Sequence, residues 1–138
     1  MAFQYEAQIE INCTPAQVWQ RFVDVQGWKD WNRGILSIEL HGPFADGSTY
    51  TMNLPQDISL VSTLIDVREN LIFVDQTPLD GNIARIYRRI VPLLNGHTRV
   101  WYIGYVAGIS PEITGPEFTR DFPVVLSDLK TLIERAAG

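Results

Sequence analysis

The feature that most constrains this chain is its ending. Phe118, Phe122, Val125, Leu126, Leu129, Leu132, Ile133 and Ala136 recur at intervals of three and four. That spacing predicts an amphipathic helix about five turns long. Nearly everything between Ile35 and Val106 instead reads as strands joined by tight turns. Consecutive strands with short connections make an antiparallel sheet. Such a sheet needs a cover for its apolar face, and the terminal stripe is the only element long enough to supply one. The class expected is therefore α+β, a curved antiparallel sheet of about seven strands around one long C-terminal helix. One helix does not fill a strongly curved sheet, so a cavity between the two is expected.

The first strand is the segment Phe3 to Ile11. Phe3, Tyr5, Ala7, Ile9 and Ile11 share one parity and Gln4, Glu6, Gln8 and Glu10 the other, as in a strand with one buried face. A helix start follows directly. Thr14 suits an N-cap, Pro15 the first helical position, and Gln17 completes a capping box. Val18, Trp19, Phe22 and Val23 form its apolar stripe, and Gly27 ends this helix or separates it from a second. Trp28 and Trp31, three apart, fall on one side of a short helical turn.

Strands are expected at Ile35 to His41, Ser48 to Asn53, Ile58 to Val67, Leu71 to Thr77, Ile83 to Val91 and Thr98 to Val106. Asp46-Gly47 and Asp80-Gly81-Asn82 punctuate them, and Asn95-Gly96 is the strongest hairpin signal. In the final stripe Pro116 suits a first turn. Pro123 does not suit a helix interior, so a kink or break is expected there.

Composition sets outer bounds. The 138 residues fit one domain, 1–138, with enough chain for a real core. The net charge of −5 argues against nucleic acid, whose phosphates call for surplus Lys and Arg. There is no apolar run long enough for a membrane span. The first residues lack a signal-peptide layout, which makes a cytoplasmic protein the default and the Asn12-Cys13-Thr14 sequon a coincidence. Cys13 is the only cysteine, so no internal disulfide can form.

Several segments together resemble the helix-grip superfamily. This group includes START lipid-transfer domains, birch-pollen-allergen-like proteins and polyketide cyclase/dehydrase-like proteins. The resemblance rests on the run Ile9 to Trp19 and on Asp24-Val25-Gln26-Gly27-Trp28-Lys29-Asp30-Trp31-Asn32. It extends through Leu40-His41-Gly42-Pro43-Phe44 with Asp46-Gly47, the Asn95 to Val100 hairpin, and the long terminal helix. Arg33 replaces a proline often found after the Trp-Asn pair. The residues place two short helices after the first strand, and the resemblance implies a deep cavity between sheet and long helix that holds a small apolar or amphipathic molecule. It implies no common catalytic residue set, so function must come from the pocket.

Candidate chemistry is sparse. His41, His97 and Cys13 lie far apart without ligand spacing, so neither a metal site nor a cofactor is expected. Cys13 beside a helix cap is either a thiol of lowered pKa or a small buried hydrophobe. On the strand Ile83 to Val91, Ala84, Ile86, Arg88 and Ile90 share a parity. If they face the helix, Arg88 enters an apolar cavity, where an unpaired guanidinium needs a carboxylate or an anionic ligand. Asp75 is the candidate partner, since Leu71, Phe73 and Asp75 share the inward parity of the preceding strand. Tyr50, Met52 and Tyr102 are placed inward on other strands.

The expected ligand-binding set is thus Tyr50, Met52, Phe73, Asp75, Ile86, Arg88, Tyr102 and Phe122, with Asp75 and Arg88 as weak catalytic candidates. Three functions stay open. The first is binding of a small apolar or amphipathic molecule. The second is a polyketide cyclase/dehydratase-type enzyme using the pocket Tyr, Asp and Arg. The third is protein interaction, including a homodimer, through an outward stripe of Trp101, Ile103 and Tyr105; a register shifted by one would remove that stripe.

Overall fold

The computed structural model describes residues 2–137. Strand β1 (Ala2–Ile11) is followed by helix α1 (Pro15–Val23) and a 3₁₀ segment (Val25–Asp30). Then come β2 (Ser37–His41), β3 (Thr49–Leu54), β4 (Ile58–Arg68), β5 (Ile72–Leu79), β6 (Asn82–Pro92) and β7 (Thr98–Gly108). Helices α2 (Pro111–Thr119) and α3 (Phe122–Ala137) complete the chain. The seven strands form one antiparallel sheet in the order β1-β7-β6-β5-β4-β3-β2. Its architecture is the helix-grip fold. β1 closes onto β7, from Ala2 opposite Ala107 to Ile11 opposite Thr98.

The capping box at α1 forms as the sequence predicts. Thr14 Oγ1 accepts from the Gln17 backbone N–H at 3.3 Å, and Gln17 Oε1 accepts from the Thr14 N–H at 2.8 Å. The helix ends at Val23, earlier than Gly27, which lies inside the 3₁₀ segment. The reason is local: a Cβ on Gly27 would sit 2.5 Å from the Asp24 carboxylate, so glycine permits the tight turn. The two-residue hairpin belongs to Asp80-Gly81, where both φ values are positive at 52° and 79°. That pair matches a type I′ turn. Asn95-Gly96 sits in a longer loop closed by the Leu93 N–H donating to the His97 carbonyl at 2.8 Å.

The terminal stripe is divided. Residue 116 is interior to α2, and Pro111 holds the first position instead. The chain breaks at Arg120-Asp121 and restarts with Phe122. Pro123 therefore stands in the first turn of α3, where a missing N–H leaves no intrahelical bond unmade. The predicted break falls just before Pro123. Phe118 stays on α2 and the rest of the stripe on α3, whose 16 residues span about 24 Å.

The alternation of β6 and β7 fixes the faces. Ala84, Ile86, Arg88 and Ile90 are buried, as are Thr98, Val100, Tyr102 and Val106. The core lies between this concave face and the helices, and contains Phe22, Phe73, Leu126 and Leu129. Leu71 departs from the expected inward set: it precedes β5 and is exposed. Asn82 ties α2 to the sheet. Its Nδ2 donates to Ser110 Oγ at 3.2 Å and Thr114 Oγ1 at 3.1 Å, and its Oδ1 accepts from the Ser110 N–H at 3.0 Å. Among the described residues no helix is long and apolar enough to cross a membrane.

Candidate functional site: a buried Tyr–Asp–Arg cluster

Register brings four polar side chains together on the concave face. Arg88 on β6 lies opposite Phe73 on β5 and opposite Tyr102 on β7. Asp75 is two residues along β5 from Phe73, on the same face. Tyr50 on β3 is opposite Ser62 on β4, a residue small enough for the phenol to pass over it toward β5. The Tyr50 hydroxyl donates to Asp75 Oδ2. Arg88 Nη1 stands 3.0 Å from the same oxygen. All four side chains are buried.

The guanidinium is enclosed by π faces. Its Cζ lies 4.6 Å from the Phe73 ring centroid, 5.1 Å from Tyr102 and 5.8 Å from Trp28. Such contacts favour a cation in a site poor in water. Nη1 nevertheless has no hydrogen-bond acceptor in line with its N–H bonds. Its contact with Asp75 is one of charge, without a directed hydrogen bond. An unmade bond on a buried charged group costs more than on a neutral one.

Electrostatics fix the protonation states. Burial pushes the Tyr50 phenol well above its usual value, and the Asp75 charge adds to the effect. Burial likewise raises Tyr102, although Arg88 opposes it. Burial pulls Arg88 down, but Asp75 and the two tyrosines outweigh it and the guanidinium is held firmly charged. The cluster thus contains a fixed cation and two phenols that remain proton donors at neutral pH.

Beside it lies a recess of about 80 Å³, partly open to solvent. Six of the eight sequence-predicted site residues line it: Tyr50, Met52, Ile86, Arg88, Tyr102 and Phe122. Phe73 and Asp75 do not. Phe73 lies under the guanidinium, and Asp75 contacts Tyr50 and Arg88 from behind the wall. The recess is far smaller than the deep cavity expected, because Trp28, Trp31, Tyr50 and Phe73 occupy the volume between sheet and helix. Trp28 packs on Tyr50 at 5.2 Å and on Phe73 at 5.8 Å. Ordinary ligand pockets run to about 300–1,000 Å³. A broader groove of about 440 Å³ on the convex face, bordered by Val74 and Tyr87, is open to solvent and holds no buried charged side chain.

Sequence reasoning missed Asp121 as a lining residue. It sits at the α2–α3 break, and its carbonyl accepts the first α3 hydrogen bond, from the Val125 N–H at 2.9 Å. Burial raises its carboxyl, against the lowering effects of its own backbone N–H and of Arg120. The signal was present in Pro123: a break there frees the residues before it to face the recess. Gly104 on β7 lets this joint approach, since a Cβ there would come 2.6 Å from Thr119 and 3.0 Å from Phe122. The other sequence candidates lie elsewhere. Cys13 is buried and its thiol is raised by burial, as for a small core residue. His97 Nδ1 is 2.7 Å from Glu10, and His41 Nε2 is 2.9 Å from Thr51 Oγ1.

A curved antiparallel sheet of seven strands with a long C-terminal helix across it places the chain in the helix-grip class. The chain belongs to the polyketide cyclase / dehydrase and lipid transport family, whose model matches residues 2–134. Among solved structures it is similar to the Zhui aromatase/cyclase from Streptomyces sp. R1128, with a TM-score of 0.85 and 11% identity over 100% of this chain and 97% of that one. It is also similar to norcoclaurine synthase from Thalictrum flavum, at TM-score 0.80 and 10% identity over 100% and 98%. A START superfamily protein from Mycobacterium smegmatis gives 0.79 and 15% over 96% and 98%. These identities speak for the fold alone. No curated protein matches the sequence.

Proposed function

We propose that this protein binds a small amphipathic molecule through an oxygen acceptor, a carboxylate or a polarised carbonyl, that completes the hydrogen bonding of Arg88. The observation that carries this reading is the buried guanidinium whose Nη1 has no aligned acceptor beside the recess. A charged ligand oxygen there makes a strong bond in a medium of low dielectric. The Tyr102 phenol, kept protonated, is a second donor on the same wall. The recess takes only a compact head group. Trp31, Ile35 and Val125 supply the apolar side of the recess for the rest of the molecule. Family membership favours a small hydrophobic ligand. The norcoclaurine synthase structure with dopamine and hydroxybenzaldehyde is an instance of this fold holding small aromatic molecules.

The test uses the intrinsic fluorescence of Trp28 and Trp31, with benzoate, cinnamate and octanoate as probes and benzyl alcohol as the uncharged control. Saturable quenching by the carboxylates, weakened at least tenfold in Tyr102→Phe/Arg88→Lys, is expected. Asp121→Asn should tighten carboxylate binding several-fold, because it removes a like charge from the recess. Equal response to benzyl alcohol and benzoate would sink the acceptor reading.

A second reading draws on Asp121. Its carboxyl, at the solvent-exposed rim, shares the recess with two protonated phenols and a fixed cation, the constituents of acid–base catalysis on a carbonyl compound. In a cyclase or dehydratase reaction Asp121 would take the proton while Arg88 and Tyr102 hold the developing oxyanion. Loss of turnover in Asp121→Asn with binding retained distinguishes it from simple carriage.

A further inference from the structure

The convex face of the sheet carries a self-complementary pattern. The outward residues of β7 are Arg99, Trp101, Ile103 and Tyr105, all partly exposed. The register places Glu6 of β1 on one side of Ile103 and Tyr87 of β6 on the other. On β1 the outward residues are Gln4, Glu6, Gln8 and Glu10, polar or acidic throughout. On β6 they include Arg85 and Arg89, which flank Tyr87. An apolar ridge therefore runs along β7, with an acidic strand on one flank and a basic strand on the other.

We propose that this face binds a second copy of the chain, about a two-fold axis that runs along β7 between the two sheets. A rotation about that axis reverses left and right while keeping the level along the strand. It lays β7 on the partner's β7, with Trp101, Ile103 and Tyr105 ridge on ridge and the two Arg99 side chains at one end, each beside the Glu10 of its own chain, and β1 over the partner's β6. Glu6 then faces the level of Tyr87 and lies between Arg85 and Arg89 of the partner subunit. The symmetry produces the same contact twice, as an isologous interface requires. The alternative in-plane axis, perpendicular to the strands, would stack β1 on β1 and β6 on β6 and oppose like charges. Sheets that pack face to face keep their strands within about 30° of each other at a separation of about 10 Å. Over the one-strand offset from β7 to β1 that angle still leaves Glu6 between the two arginines. Within its own chain Glu6 is exposed and accepts one hydrogen bond, from Gln4 Nε2 at 3.0 Å. Arg89 is exposed, while Arg85 donates to Gln76 Oε1 at 2.9 Å.

The experiment is sedimentation velocity of the full chain over a hundredfold concentration range at low and at moderate salt. Wild type is expected to show a concentration-dependent dimer that weakens with salt. Ile103→Asp, whose fold is checked by circular dichroism, should be monomeric throughout. Glu6→Arg should weaken the dimer at least tenfold, and Glu6→Arg combined with Arg89→Glu should restore most of that loss. A wild type monomeric at every concentration overturns the proposal. So does a dimer indifferent to Ile103→Asp, or a charge reversal that the second substitution fails to rescue.

Discussion

The molecule contains two clusters of opposite charges that use similar groups in different media. One is Tyr50–Asp75–Arg88 on the concave face, where the Asp75 and Arg88 side chains are 3% and 9% exposed. The other joins β1 to the β6–β7 loop and to α3. There Glu10 contacts His97 at 2.7 Å and Arg99 at 3.5 Å, and Lys130 bridges the Glu10 carbonyl at 2.9 Å and Glu134 at 2.6 Å. The second cluster has more partners and good distances, but all its members are wet. Water and salt screen such pairs, and ordering long side chains offsets much of what remains. The first has fewer contacts and one donor left over, yet each contact acts in a low dielectric. Medium outweighs contact number, and the incomplete cluster is the one with a buried charged donor still unsatisfied.

The largest effect should come from breaking the buried pair on one side only. Asp75→Ala leaves the guanidinium uncompensated among aromatic rings and is expected to cost about 3–5 kcal/mol, read as the urea midpoint at constant slope. Replacing both members, Asp75→Leu with Arg88→Met, should recover most of that loss while abolishing carboxylate binding. If the double variant is as unstable as the single one, the pair is holding the sheet together, and its proposed role as a ligand contact loses its footing.

A smaller effect is expected at Tyr50. Tyr50→Phe removes the donor to Asp75 Oδ2 and should cost about 1–3 kcal/mol, the penalty for a buried acceptor losing its partner. It also carries a pH signature. The folded-state pKa of Tyr50 is raised above the ordinary value of 10.0. The unfolded chain therefore releases this proton first as the solution becomes alkaline. Stability is unaffected below the unfolded pKa and falls as pH rises past about 10. Tyr50→Phe should flatten that alkaline decline, with Tyr102 supplying what remains. An unchanged slope would mean that the phenol is solvated.

Much of this was legible in the sequence because it depends on local periodicity. The two-residue alternation of β6 correctly turned Arg88 inward, and the shared parity of Phe73 and Asp75 placed its partner. The capping box at Thr14 and Gln17 fixed where α1 begins. What stayed hidden depends on distance across the sheet or on volume. That Tyr50 crosses β4 to Asp75 follows from the register of β3 against β4 and from the small Ser62 side chain, neither of which has a local pattern. The size of the recess is a sum over aromatic side chains from β3, β5 and the 3₁₀ segment with the Trp31 that follows it. Asp121 was obscured because the stripe from Phe118 to Ala136 reads as one helix, and only the backbone requirement of Pro123 signals that it is two.

The smallest effect belongs to the wet cluster. Hydrogen bonds from Asn95 and His97 hold the Glu10 carboxyl below the ordinary glutamate value of 4.5, with His97 and Arg99 adding charge. A carboxyl with a lowered folded-state pKa contributes stability that is present above about pH 4.5 and is lost as pH falls through the folded value. Because Glu10 is open to solvent, that contribution is shallow. Glu10→Gln should leave the neutral-pH urea midpoint within measurement error and trim only the acid end of the stability profile, with added salt erasing the difference. The same variant should leave carboxylate binding at Arg88 untouched. A loss on the scale of Asp75→Ala would reverse the ranking of the two clusters, and would make the β1–α3 junction, where Lys130 holds the Glu10 carbonyl, the point on which the fold depends.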